Sequence, residues 1–193
     1  MDILIVKVVL VMVALIATFY DIKEKRIPNA LTFPAILMGI VLNTIFNGFE
    51  GLVFSIAGFF TGMVLFFIPF ASGAMGAGDV KLMGAIGSLM GWRFVVVATL
   101  FSAISGLLVV FVYLIYQKKL FCFLKKYFLF FTIPIMQALS LSFKSEKLDQ
   151  IHKNLLLEKH QIHDEKLYVP YGVAIALGAL FTLSGIYKDF LSF

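Results

Sequence analysis

Apolar residues dominate this chain of 193 residues: 61% of them are hydrophobic, 14% are charged, and the mean hydropathy is +1.00. Soluble globular domains carry about 25% charged residues, so this composition excludes an ordinary water-soluble domain and indicates a polytopic membrane protein. The net charge is +5, and Cys122 is the single cysteine, which excludes an intrachain disulfide and a Cys-x-x-Cys metal site. We expect the lipid bilayer as a partner, and no nucleic acid, metal or cofactor.

Six apolar runs follow one another along the chain and predict an all-α bundle of about six transmembrane helices, because a bilayer core admits only segments with internally satisfied backbone groups. The runs cover residues 3–20, 30–46, 52–70, 80–92, 94–116 and 170–187. The first run is long enough to span and lacks the basic start and cleavage site of a signal peptide, so we interpret it as a retained helix. We treat residues 1–193 as one membrane-embedded domain.

Glycines recur at short intervals in the third and fourth runs, a pattern that lets neighbouring helix backbones approach closely. They are Gly58, Gly62, Gly84, Gly87 and Gly91. We interpret them as helix-packing residues.

Basic residues orient the bundle. If the N-terminus lies outside, six crossings put residues 21–29, 71–81 and 117–169 in the cytoplasm, and these segments hold 13 of the 16 Lys and Arg residues. The positive-inside rule favours this orientation. We therefore expect a multi-pass protein of the cytoplasmic membrane with both termini outside.

Residues 117–169 form a predicted cytoplasmic loop inserted before the last helix. Within it, 127–143 is apolar, yet lysines flank it on both sides and Pro134 interrupts it, which favours an interfacial or re-entrant segment over a seventh span. The three histidines of this loop are poorly spaced for a metal site: His152, His160 and His163.

Two acidic residues stand at the ends of predicted helices that face the same side of the membrane. Asp21 closes the first helix and Asp79 opens the fourth. In an aspartyl pair, one ionised carboxylate activates water while its protonated partner polarises the scissile carbonyl, and the two share a proton because both cannot ionise cheaply. Taken singly, Asp79 also fits a helix N-cap and Asp21 a solvated residue past a helix end.

Several neighbours of these acids are candidate site-shaping residues. Gly76 and Gly78 allow positive φ and close approach by a substrate backbone. Lys81 fits a snorkelling side chain better than a catalytic one. Pro28 starts the second helix, and Asn29 either caps it or hydrogen-bonds near the site.

Three motifs give the chain a family resemblance: Asp21 followed by the run 26–29 (Arg-Ile-Pro-Asn), the run 76–82 (Gly-Ala-Gly-Asp-Val-Lys-Leu), and the run 169–172 (Val-Pro-Tyr-Gly). Their order resembles the type IV prepilin peptidase family, which belongs to the Gly-x-Gly-Asp membrane aspartyl proteases. The resemblance implies that Asp21 and Asp79 are catalytic. It also implies that the substrate is a prepilin or pseudopilin-like preprotein, which loses its leader at the cytoplasmic membrane face. The chain resembles the short form, without the methyltransferase domain and its paired Cys-x-x-Cys motifs.

Two alternatives stay open on sequence alone. Tyr20 and Asp21 followed by a Gly-x-Gly-Asp run are also similar to presenilin-like and signal-peptide-peptidase-like proteases. A non-enzymatic small transporter could use Asp21 and Asp79 as ion-coupling carboxylates, although it predicts acids near the bilayer midplane and inverted repeats. The oligomeric state and the particular pilin are not predicted.

Overall fold

A computed structural model describes residues 2–73, 75–116 and 170–185, with the isolated positions 132, 150 and 154. The chain divides into two compact units, Met1–Val109 with Val169–Phe193, and Val110–Tyr168. Apart from those three isolated positions, the predicted loop 117–169, its apolar segment 127–143 and the three histidines lie outside the described residues. Every candidate site residue belongs to the first unit.

The described residues form four apolar helices, as the hydrophobic runs predict: α1 Asp2–Glu24, α2 Asn29–Ala71, α3 Ala77–Tyr116 and α4 Tyr171–Ser184. Within the described ranges there is no strand, so the all-α prediction is confirmed. By length and composition, α1, α2 and α3 can each cross a membrane, whereas α4 is shorter. The predicted count of about six spans is not confirmed and stays a prediction.

Two glycines interrupt the long helices near the predicted gaps between runs. Gly48 in α2 has φ 60° and ψ −139°, and Gly91 in α3 has φ 77° and ψ 173°. Positive φ is a conformation that glycine adopts without the steric penalty of a side chain. Gly91, interpreted from the sequence as a packing residue, therefore also turns the chain. We call the arms α2a (29–47), α2b (49–71), α3a (77–90) and α3b (92–116).

The helix α2 folds back on itself at Gly48. The Asn43 side-chain nitrogen Nδ2 lies 3.0 Å from Ser55 Oγ, whereas twelve residues of continuous helix would separate them by about 18 Å. The same amide reaches the carbonyl oxygens of Ser88 and Leu89, at 3.0 and 3.1 Å. Asn43 thus joins α2a, α2b and α3a through one buried side chain.

Helix α2b contacts α3a backbone to backbone. A Cβ atom on Gly58 would collide with the Gly87 carbonyl, a Cβ on Gly87 would collide with Gly58, and one on Gly62 would lie 2.5 Å from the Met83 oxygen. Gly58 pairs with Gly87 and Gly62 pairs with Met83, so residue numbers rise along α2b while those of their partners fall along α3a. The two arms are therefore antiparallel. The packing interpretation of Gly58, Gly62 and Gly87 agrees with these contacts.

The end of α1 and the starts of α2, α3 and α4 meet at one end of this unit. Lys81 in α3 hydrogen-bonds Asn29 in α2, and Val173 in α4 hydrogen-bonds Asp21 in α1. Behind this end lies an apolar core with fully buried side chains from all four helices, including Ala35 of α2. The largest are Leu10, Leu82, Met83, Ile86, Leu89 and Ile175.

We expect Gly58→Ala to lower the unfolding free energy by about 1–3 kcal/mol, because the added methyl group meets backbone atoms of Gly87 that cannot rotate away. The measurement is thermal unfolding of the purified protein in detergent. Gly106→Ala is the matched control, since a Cβ there lies 3.6 Å from Ala174 Cβ, an ordinary contact. Equal melting temperatures for the two variants would contradict the contact.

Candidate active site

Asp21 lies in the last turn of α1 and is buried, with 3% of its surface exposed. Its Oδ2 atom accepts a hydrogen bond from the Val173 backbone N–H, at 3.3 Å, in the first turn of α4. A Cβ built on Gly172 would lie 2.8 Å from the same oxygen. The interpretation of Asp21 as a solvated residue beyond a helix end is therefore wrong.

Asp79 is the third residue of α3 and is 8% exposed. Its Oδ2 accepts a hydrogen bond from the Gly76 backbone N–H at 3.0 Å, and its own N–H donates to the Gly76 oxygen at 3.2 Å. A side chain at the third helical position that reaches back to the residue before the helix forms half of a capping box. Asp79 thus supports the helix start from inside the first turn rather than as the N-cap residue.

The segments that carry the two carboxyl groups contact each other, because Ile27, six residues after Asp21, packs against Gly78, the residue before Asp79. Both carboxyl groups are buried at the same end of an apolar bundle, although their positions are distant in the sequence. Like charges in such surroundings cannot both ionise at low cost, so the pair suits a single shared proton. This arrangement suits general acid–base chemistry on a substrate that reaches the end of the bundle.

Gly76 and Gly78 have different surroundings. Within the described residues, positive φ occurs at other glycines and at Lys25 but at neither of these two, so the positive φ that glycine allows is not adopted at either position. A Cβ on Gly78 would lie 3.1 Å from both the Cβ and the carbonyl oxygen of Ile27, so the loop before α2 fills this space. Gly76 is exposed and leaves open surface beside Asp79.

Lys81 and Asn29 form a direct hydrogen bond, 2.8 Å from Nζ to Oδ1. The ammonium group also lies 5.3 Å from the centre of the Phe33 ring. Pro28 is the N-cap residue of α2, so the helix begins at Asn29, one position after the predicted start. The Pro28 oxygen accepts a hydrogen bond from the Leu31 N–H at 3.1 Å. Asn29 therefore connects α2 to α3 instead of capping its own helix.

Within the described ranges, no three His, Cys, Asp or Glu residues are grouped closely enough to hold a metal ion.

The sequence interpretation missed the contact between Asp21 and the first turn of α4. In the structure, Gly172 lies against the Asp21 carboxylate. The sequence feature that could have indicated this contact is the Val-Pro-Tyr-Gly run at 169–172, one of the three motifs that carry the family resemblance. Its partner could not be identified because the two elements are separated by most of the chain.

We expect Lys81→Met and Asn29→Leu each to cost about 0.5–1.5 kcal/mol of stability, and the double variant to cost little more than either, because both remove one hydrogen bond. Thermal unfolding of the wild type, both single variants and the double variant in detergent completes this double-mutant cycle. Lys23→Met is the control, since Lys23 lies 5.4 Å from the Phe19 ring and so resembles Lys81 above Phe33. Fully additive losses would exclude the proposed coupling.

Comparison with known proteins connects this geometry to a family. The model of the type IV leader peptidase family matches residues 8–111. The chain is 30% identical over 102 residues to the prepilin leader peptidase/N-methyltransferase of Legionella pneumophila, covering 50% of this chain and 36% of that protein. It is 34% identical over 101 residues to the protein of the same name from Pectobacterium carotovorum subsp. carotovorum, covering 49% and 36%.

An archaeal relative is similar over a comparable length. The prepilin peptidase EppA of Methanothermobacter thermautotrophicus is 36% identical over 102 residues, covering 47% of this chain and 26% of that protein. The chain thus matches between 26% and 36% of the length of these curated relatives. No solved structure matches it significantly.

The matched segment contains Asp21, Pro28, Asn29 and the whole Gly-x-Gly-Asp run ending at Asp79, whereas the run 169–172 lies outside it. This segment covers more than half of the chain, and its three helices are those long and apolar enough to cross a membrane. The chain is an integral membrane protein and belongs to the type IV leader peptidase family.

Proposed function

We propose that this chain is a membrane aspartyl endopeptidase that removes the leader peptide of prepilin-like preproteins, with Asp21 and Asp79 as its catalytic pair. The observation that carries the proposal is the placement of these two buried carboxyl groups at one end of an apolar bundle, one in the last turn of α1 and the other in the first turn of α3. Acidic groups in membrane-embedded helices are costly, which makes a functional role the default interpretation. The names of the relatives, all prepilin peptidases, support the same activity and substrate class.

Hydrolysis would use the pair as base and acid. The ionised carboxylate takes a proton from a water molecule, whose oxygen attacks the scissile carbonyl carbon, while the protonated partner donates to the carbonyl oxygen. The tetrahedral intermediate then collapses as the leaving amine takes a proton from the pair. The N–H groups of Val173 and Gly76 hold Asp21 and Asp79 in place during these transfers.

The proposed active site faces the cytoplasm. Three of the exposed residues that follow Asp21 in the chain are basic: Lys23, Lys25 and Arg26. By the positive-inside rule, this end of the bundle belongs on the cytoplasmic side, with both chain termini outside. A preprotein anchored by an apolar helix would present its basic leader at the same face.

One observation argues against each of the two alternatives, an ion-coupled transporter and a presenilin-like protease. The carboxyl groups lie in the last turn of α1 and the first turn of α3, at helix ends rather than midway along them. The family match likewise favours a prepilin peptidase over a presenilin-like protease. The particular preprotein is left open.

We expect Asp21→Asn and Asp79→Asn each to reduce leader removal by about 10²–10⁴-fold or more, since an amide can neither take nor supply the shared proton. The assay follows the mobility shift of a co-expressed prepilin, with membrane accumulation of each variant measured in parallel. Glu50→Gln serves as the control, because Glu50 is an exposed acid at the turn of α2. Retained cleavage by either aspartate variant would refute the catalytic assignment.

Substrate choice gives a second test. We expect a small residue, glycine above all, immediately before the cut, because the buried acids leave little room for a side chain between them and an extended backbone. Placing Ala, Ser, Val and Leu at that position should reduce cleavage steeply as side-chain volume rises. The same series at the first leader residue is the control, and efficient cleavage after Leu would contradict the expectation.

A further inference from the structure

The first turn of α4 makes two separate contacts with the Asp21 carboxyl group. The Val173 N–H donates to Oδ2 at 3.3 Å. A Cβ on Gly172 would lie 2.8, 2.9 and 3.0 Å from Oδ2, Cγ and Cβ of Asp21. Contacts this short leave no space for any side chain at position 172, so glycine is required there for Asp21 to keep its place.

Helix geometry explains why a carboxylate occupies this position. Gly172 and Val173 are the second and third residues of α4. Backbone N–H groups in a first helical turn have no acceptor within their own helix, and the helix dipole favours negative charge beside them. The start of α4 therefore provides donors and a favourable field for a group that belongs to α1.

We propose that Gly172 and Val173 are positioning residues for Asp21, so that the first turn of α4 is part of the active site. This inference rests on the proposed function, because it assigns these residues a role in catalysis by Asp21. It extends the site beyond residues 8–111, the segment shared with the family model. Neither residue touches the substrate in this proposal, and both act through the position of one carboxylate.

A second glycine of the same helix separates this role from ordinary packing. Gly178 is as crowded as Gly172, since a Cβ there would lie 2.5 Å from the Ser102 nitrogen and 2.7 Å from its Cα. Its neighbours belong to α3b and include no proposed catalytic group. Gly172→Ala and Gly178→Ala thus add the same methyl group to one helix under similar crowding, but only the first displaces Asp21.

The experiment measures kcat and KM for leader cleavage together with the melting temperature of each purified variant. We expect Gly172→Ala to lower kcat by about 10- to 100-fold with KM within about twofold, since a displacement near 1 Å can cost that much. Gly178→Ala should lose thermal stability yet keep kcat per folded enzyme within about twofold. Equal kcat losses in both variants, or wild-type kcat in Gly172→Ala, would overturn the proposal.

A second variant removes the donor itself and puts the proline Cδ atom in the place of the N–H hydrogen that points at Oδ2. Val173→Pro lacks the backbone N–H, and a first helical turn tolerates proline because that N–H has no intrahelical acceptor. A fall of about 10-fold in kcat is expected on loss of one hydrogen bond to a charged group. This variant decides the question if Gly172→Ala does not accumulate, and an unchanged kcat would then overturn the proposal.

The aspartate variants distinguish the two levels of inference. If Asp21→Asn still cleaves, the proposed function fails at its catalytic pair. If Asp21→Asn is inactive while Gly172→Ala and Val173→Pro keep wild-type kcat, the proposed function stands and only the role of α4 is refuted.

Discussion

Backbone contact between Gly58 and Gly87 is the constraint on which the arrangement of this unit depends. Inside a bilayer, apolar side chains gain little by leaving lipid for protein, so helix association relies on close packing and hydrogen bonds. Two glycines facing each other let α2b and α3a touch along their backbones, and Asn43 then reaches the Ser88 and Leu89 carbonyl oxygens. Together these contacts set the register of α3a against both arms of α2.

That register decides where the first turn of α3 lies. With α3a held beside α2a, Gly78 meets Ile27 and Lys81 reaches Asn29, so the loop between α1 and α2 packs on the start of α3. The last turn of α1, which carries Asp21, is only a few residues before this loop. The contacts of Gly58 with Gly87 and of Asn43 with α3a lie well away from the two acids, yet they determine where Asp79 lies relative to Asp21.

The Gly-x-Gly-Asp run has a physical explanation in this structure. Gly76 precedes the helix and gives its N–H to the Asp79 carboxylate, as a capping residue does. Gly78 lacks a side chain because Ile27 occupies that space, not because its backbone needs positive φ. The motif therefore combines a helix start with a close interhelical contact, and both features orient the Asp79 carboxyl group.

Much of this arrangement could be predicted from the sequence because it depends on local patterns. Hydropathy defined the helical segments, and their gaps fell near the turns at Gly48 and Gly91, since hydrocarbon leaves few alternatives to helix. The positions of Asp21 and Asp79 at helix ends of the same side followed from counting crossings. Distances between helices could not be predicted, because packing register depends on contacts such as Gly58 with Gly87 whose pairing no local pattern specifies.

The two acids differ in how far apart their partners lie in the sequence. Asp79 accepts a hydrogen bond from Gly76, three residues before it, so this support of its carboxyl group lies within a short motif. Asp21 is held by Gly172 and Val173, and Val173 lies 152 residues further along the chain. A shortened chain that ends before α4 would keep the hydrogen bond from Gly76 to Asp79 but lose the contacts of Gly172 and Val173 with Asp21. The proposed catalytic pair therefore depends on tertiary structure chiefly through its first member.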